Sequence, residues 1–89
     1  MSGTSSEIRH KGLSLLVQTQ DKGLQAQYVE SLVYHSGKLV FSRKTFYTQF
    51  LNDADLKRKV ARLLMEQHHK IMSDISAGRL DHHLFKSRS

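Results

Sequence analysis

The chain of 89 residues contains no cysteine and no proline. Without cysteine it can form neither disulfide bonds nor thiolate metal sites, and this composition fits a reducing cytoplasm. A domain of this size buries only about 60% of the surface that its unfolded chain exposes, so its core is thin. Because disulfides are excluded, oligomerisation is the common support that remains for such a core.

Long hydrophobic runs are also missing. No segment approaches the ~20 apolar residues that are needed to span a bilayer. The strongest candidate, residues 13–17, is interrupted by Ser14 and followed by a polar stretch. The N-terminal residues lack the apolar core of a signal peptide. We therefore expect a cytoplasmic protein without membrane contact.

The net charge of +6 is not concentrated in the centre of the chain. Residues 1–11 carry +1 and residues 79–89 carry +2, which leaves +3 for the centre. Both ends are polar and poor in apolar residues, so we predict a disordered N-terminal tail (residues 1–11) and a basic, flexible C-terminal tail (residues 81–89). Residues 12–80 remain as a single domain.

Ser36-Gly37 predicts a two-residue β-hairpin turn, since glycine accepts the positive φ that such turns require. A turn at this place sets the register, with His35 opposite Lys38 and Tyr34 opposite Leu39. Continued without a break, the register pairs Leu32 with Phe41 and Glu30 with Arg43, which are favourable cross-strand pairs.

The wider pattern predicts an α+β fold. Alternating residues from Leu13 to about Gln20 indicate a first strand, and the hairpin supplies two more, so we expect a three-stranded antiparallel meander in the order 1-2-3. From Asn52 the period changes to that of a helix, which Gly78 can end. One long C-terminal helix should therefore pack on the sheet.

Large apolar residues define the expected core. We predict that the helix covers the sheet face that carries Leu32, Tyr34, Leu39 and Phe41, because these side chains bury the most area. The helix contributes one broad apolar face. Its members are Leu56, Val60, Leu63, Leu64, Ile71 and Ile75, with Gln67 among them.

Apolar residues outside this core predict an interface, since surplus apolar stripes are typical of association surfaces. The helix has a second, narrower stripe, and the opposite sheet face has an apolar patch. The predicted partner-binding residues are Ala61, Met65, His68 and Met72 on the helix, and Val29, Val33 and Val40 on the sheet. Single exposed apolar residues are common, so an ordinary surface is the alternative.

The histidines do not predict a metal site or an enzyme. Glu66 and His69 share a helical face, but a di-iron site needs two such pairs from different helices. His82 and His83 lie in the expected tail. Nothing in the sequence places a nucleophile, a base and an orienting acid together. We therefore expect no catalytic residues, no metal and no cofactor.

A nucleic-acid surface is the alternative function. Five residues of the helix form a basic row that could contact phosphates. They are Arg58, Lys59, Arg62, His69 and Lys70. A charged outer face is also what an ordinary amphipathic helix shows. No motif of a known nucleic-acid-binding module accompanies the row.

The runs 29–34 and 39–42, the turn at Ser36-Gly37 and the later Glu66-Gln67-His68 resemble small bacterial domains in which a β-meander precedes one long helix. The resemblance covers residues 13–80. It implies this fold and no active site or partner. The sequence as a whole thus predicts a small interaction module that binds protein and self-associates.

Overall fold

A computed structural model gives the structure of the protein and describes residues 3–85. Four strands form one antiparallel sheet in the order β1-β2-β3-β4, and one long helix packs on it. The strands are β1 (Gly3–His10), β2 (Leu13–Asp21), β3 (Tyr28–His35) and β4 (Lys38–Phe46), followed by a 3-10 turn (Thr48–Phe50), helix α1 (Leu56–Ser76) and helix α2 (Asp81–Leu84). The predicted α+β class is confirmed, although the meander has four strands where three were predicted.

The additional strand is β1, which occupies most of the segment that was expected to be a disordered tail. It pairs with β2 along its whole length, from Gly3 opposite Gln20 to His10 opposite Leu13. The connecting turn places Lys11 at φ 51° and Gly12 at φ 85°. Lysine is unusual at positive φ, so the local sequence does not predict this hairpin turn. The prediction of a disordered N-terminal tail is therefore wrong.

The turn between β3 and β4 forms as predicted, with Ser36 at φ 52° and Gly37 at φ 80°. The pairs His35–Lys38 and Tyr34–Leu39 are confirmed. The register then shifts by one residue at a β-bulge between Val33 and Tyr34, so that Val33 lies opposite Phe41.

The bulge overturns two predicted pairs. Leu32 lies opposite Ser42 and not Phe41, and Glu30 lies opposite Lys44 and not Arg43. A bulge inserts one extra residue into one strand, and every pair beyond it is displaced.

Helix α1 covers the sheet face opposite to the predicted one. Val29 and Val33 of β3 are buried beneath it, together with Leu15 and Val17 of β2. Leu39, which was expected in the core, is 53% exposed. The assignment to the core face was wrong for Leu32, Tyr34 and Leu39. Phe41, which the bulge places opposite Val33, packs against the core as predicted.

The buried stripe of α1 is confirmed at its centre. Val60, Leu64, Ile71 and Ile75 are buried. They divide between two apolar clusters: Ile71 and Ile75 pack with Val17 and Val33, whereas Val60 and Leu64 pack with Val29 and Tyr47. Polar residues fill the space between the clusters.

The C-terminal segment packs against the sheet as far as the structure describes it. Asp81 at the start of α2 accepts hydrogen bonds from His10 at 2.8 Å and from Lys11 at 2.5 Å. The ring of His83 lies 4.9 Å from the ring of Phe41. The predicted flexible tail is therefore wrong for residues 81–84, and residues 86–89 lie outside the described part of the chain.

Candidate functional site

A chain of hydrogen-bonded polar side chains crosses the core between α1 and the sheet. Nδ1 of His68 lies 2.8 Å from Oγ1 of Thr19, and its Nε2 lies 2.9 Å from Oγ of Ser6. Thr19 in turn contacts Oγ of Ser31 at 2.7 Å, and Ser31 accepts a hydrogen bond from Nε2 of Gln67 at 2.9 Å. Because buried polar groups are costly without partners, these bonds allow the helix to approach the sheet closely.

The amide of Gln67 fixes the direction of the chain. Its Nε2 also donates to the backbone carbonyl of Arg43 at 3.2 Å, and its Oε1 accepts from the hydroxyl of Thr45. The hydroxyl protons of Ser31 and Thr19 are both used if Ser31 donates to Thr19 and Thr19 donates to His68. We therefore assign the neutral imidazole with its proton on Nε2, which then donates to Ser6.

The surroundings of His68 favour a neutral ring. Burial lowers the pKa of this histidine, and the neighbouring charge of His69 lowers it further. A catalytic serine–histidine pair relies on a carboxylate to stabilise the imidazolium, and here Thr19 holds that position with a hydroxyl. The arrangement therefore fits a structural role for the Ser6–His68 pair.

A second polar cluster surrounds Asp74, whose side chain is buried at the C-terminal end of α1. It accepts hydrogen bonds from Arg79 at 2.7 Å, from Lys70 at 2.9 Å and, more weakly, from Arg43 at 3.4 Å. The hydrogen bonds from Lys70 and Arg79 lower its pKa to about 2. Arg43, the predicted partner of Glu30, is therefore directed toward the helix.

The predicted basic row divides into free and paired members. Arg58, Arg62 and His69 are exposed. Lys59 forms an ion pair with Asp53 at 2.5 Å, and Lys70 is held by Asp74. The pairing removes two of the five predicted phosphate contacts from easy reach. The nucleic-acid role of the row stays a prediction.

The predicted partner-binding residues are not brought together on one surface. Ala61 and Met65 are exposed, whereas Met72 is half-buried and packs against the core. His68 is buried in the polar chain. The exposed part of the predicted helix stripe therefore consists of Ala61 and Met65.

The predicted apolar patch of the sheet lies on the covered face. Val29 and Val33 are buried beneath α1, and Val40 is half-buried against the core. The expectation that this face lies outside the core is wrong for all three residues, because the helix covers it.

The outer edge of β1 is a candidate site that the sequence did not reveal. β1 is the first strand of the sheet and pairs only with β2 among the described residues, so its other edge carries unpaired backbone groups. Glu7 and Arg9 flank Ile8 along this edge and lie on the face away from the helix, while Ile8 lies on the helix side and packs against the core. Period-two alternation over residues 4–10 is the signal that could have found the strand.

The other edge strand, β4, is protected in two ways. Its bulge disturbs the regular row of backbone groups, and Lys38, Arg43 and Lys44 give it positive charge. Both features are used by natural sheets to prevent pairing between edges. β1 carries neither a bulge nor a lysine within Gly3–His10. The two edges are therefore unequal.

The sheet face away from α1 is partly apolar. Leu16, Tyr34 and Leu39 lie side by side across β2, β3 and β4. Near the other end, the ring of Tyr28 lies 5.0 Å from the ring of Phe46, tilted by 57°. Leu39 and Phe46 are more than half exposed.

Metal-binding clusters and membrane-spanning helices are absent from residues 3–85. There, no group of three or more histidine, cysteine, aspartate or glutamate side chains is arranged to hold a metal ion. The helices of this part of the chain are also too short or too polar to cross a membrane.

No protein-family model, no curated protein and no solved structure matches this chain.

Proposed function

We propose that this chain is a small cytoplasmic interaction module that self-associates by pairing the β1 edges of two copies. The observation that carries the proposal is the open β1 edge, where Glu7 and Arg9 stand symmetrically on either side of Ile8. An open edge offers a ready row of donors and acceptors to another strand.

Charge complementarity selects one register. In a two-fold symmetric antiparallel pair centred on Ile8, Glu7 lies opposite the partner's Arg9, and Arg9 opposite the partner's Glu7. Oppositely charged cross-strand pairs stabilise a sheet, and like charges destabilise it. Centring the pair on Glu7 or on Arg9 places like charges together. The symmetric register therefore has two favourable ion pairs and no repulsion between these groups.

The same symmetry brings the exposed part of the helix stripe toward the partner. Antiparallel pairing around a two-fold axis perpendicular to the sheet leaves both α1 helices on one face. His68 bonds to Ser6 on β1, so the side of α1 that carries His68 and Met65 is the side directed toward this edge. Met65, which is 41% exposed, then lies on the flank of the helix that faces the axis. Its burial adds apolar area to an interface that backbone hydrogen bonds begin.

The alternative, nucleic-acid binding by the outer face of α1, has weaker support because Lys59 and Lys70 are engaged by aspartates. The two proposals respond differently to salt. Binding through phosphates weakens steeply as ionic strength rises, whereas a backbone-paired, partly apolar interface changes little.

The test is sedimentation equilibrium of charge variants over a wide range of protein concentration. Glu7→Arg should weaken self-association about tenfold or more, since it turns two attractive pairs into two repulsive ones. The double variant Glu7→Arg/Arg9→Glu restores opposite charges and should return the dissociation constant to within about threefold of the wild type. Glu66→Arg, which changes an exposed glutamate on α1 in the same way, is the matched control.

Two results would contradict the proposal. One is a wild-type protein that stays monomeric at high micromolar concentration. The other is self-association that Glu7→Arg and Glu66→Arg weaken equally, because the effect would then follow net charge and not the register at β1.

A further inference from the structure

A groove runs between the first turns of α1 and the connection from β2 to β3. Its volume is about 490 Å³, which lies within the range of small-molecule sites. The walls are mainly apolar. They are formed by Leu24, Tyr47, Leu56, Val60 and Leu64, with Asp21 as the acidic group.

Asp21 is held rigidly by one of its two oxygens. Oδ1 accepts hydrogen bonds from the hydroxyl of Tyr47 at 2.6 Å and from the backbone N–H of Gly23 at 2.9 Å. Burial and the neighbouring carboxylate raise the pKa of Tyr47 to about 12, so its hydroxyl keeps the proton that it donates. Oδ2 accepts no hydrogen bond from residues 3–85, and it is therefore available to a ligand.

Leu24 forms an apolar rim to the groove. Its side chain is 63% exposed, the highest exposure among the large apolar residues of residues 3–85. A ligand that covers both Leu24 and the groove removes their apolar surfaces from water, which favours binding. The groove thus combines apolar walls with one fixed acceptor, which is the usual composition of a site for an amphipathic ligand.

We propose that this groove binds a small alkylammonium compound, with the aliphatic chain along Leu56, Val60 and Leu64 and the ammonium group on Oδ2 of Asp21. A cationic donor on a carboxylate forms a stronger hydrogen bond than a neutral one. Lys57 also lines the groove, but Lys57 is exposed to solvent. The carboxylate is fixed in place by two hydrogen bonds, so it selects the head group. Ala61 of the helix stripe also lines the groove, but no residue of β1 does, so binding there does not depend on pairing of the β1 edges.

The experiment is a titration of the isotope-labelled full chain, followed by NMR amide shifts. The probes are n-octylamine, 1-octanol and sodium octanoate, which share a chain and differ in head group. Octylamine should give saturable shifts at residues 22–28 and 56–64 and bind at least tenfold more tightly than octanoate. Asp21→Asn keeps an oxygen acceptor for Tyr47 and should remove the preference for the amine.

Leu24→Ser tests the apolar rim, and Leu39→Ser is its matched control, because Leu39 is a comparably exposed leucine on the opposite sheet face. Leu24→Ser should weaken octylamine binding at least threefold, and Leu39→Ser should leave it unchanged.

Any of three results overturns the proposal: octanoate binds as tightly as octylamine, the shifts centre on the open sheet face, or Asp21→Asn keeps the preference for the amine. The first of these would assign the head group to Lys57. None of the three bears on the sedimentation of the Glu7 variants, so the two proposals fail separately.

Discussion

The two faces of the sheet differ in a way that hydrophobicity alone does not explain. The face beneath α1 buries valines together with Thr19 and Ser31. The open face carries the larger Leu16, Tyr34 and Leu39. The helix therefore covers a face whose centre combines valines with hydroxyl-bearing residues, with Leu15 and Phe41 packed beside them.

The difference indicates that fit and hydrogen bonding acted together with apolar burial in the packing. Small side chains let the helix approach the sheet, and at that distance Gln67 and His68 reach hydroxyls on the strands. The interior of a protein is close-packed, so a set of matched small groups can exclude larger apolar ones. The larger residues Leu16, Tyr34 and Leu39 remain side by side on the open face.

The largest expected effect comes from the apolar centre of the covered face. Ile71→Ala should lower the free energy of unfolding by about 2–5 kcal/mol, because Ile71 is fully buried and its truncation leaves a cavity. Urea denaturation measures this change. A loss below about 1 kcal/mol would show that the helix packs more loosely than the structure indicates.

The polar chain on the same face should show a smaller effect. Gln67→Ala should cost about 1–3 kcal/mol, since the variant removes the hydrogen bonds that Gln67 makes with Ser31, Thr45 and the carbonyl of Arg43. Gln49→Ala, at an exposed glutamine, is the control and should be nearly neutral. Equal costs for the two variants would contradict a structural role for the chain.

Lowering the pH should reduce the free energy of unfolding, because His68 is buried on the covered face. The unfolded chain binds a proton at this histidine near pH 6.5, while the folded protein resists protonation because burial lowers the pKa. Below pH 6.5 the unfolded state therefore binds more protons than the folded state. The free energy of unfolding then decreases as the pH falls toward the folded-state pKa.

Denaturation curves between pH 7.5 and pH 5 test this prediction. His68→Gln should flatten the dependence, and His69→Gln, at the exposed neighbour, should reduce it much less, because burial is the larger cause of the lowered pKa of His68. The same slope in both variants would assign the pH dependence to other groups.

The smallest effect is expected on the open face. Leu39→Ser should change the free energy of unfolding by about 0.5 kcal/mol or less in dilute solution, since the side chain is 53% exposed. Urea denaturation at low protein concentration isolates the monomer. A cost near that of Ile71→Ala would show that the open face is covered, and the contrast between the faces would disappear.

The elements that could be predicted are those with a strong local signal. The α1 stripe at Val60, Leu64, Ile71 and Ile75 follows from helical periodicity, and the turn at Ser36-Gly37 follows from the freedom of glycine. β1 was missed because its turn uses Lys11 at positive φ and because it contains one large apolar residue, Ile8. The β1 edge, the main element of the proposed function, was missed with it.

By itself, the sequence determined the α+β class, the antiparallel meander and the helix with its buried stripe, because periodicity and turn chemistry are local properties. Only the tertiary structure decided which sheet face the helix covers, where the bulge shifts the register and which edge stays open. The choice of face depends on how closely Gln67 and His68 can approach Ser31 and Thr19. That approach is set by side chains far apart in the chain, and no local pattern records it.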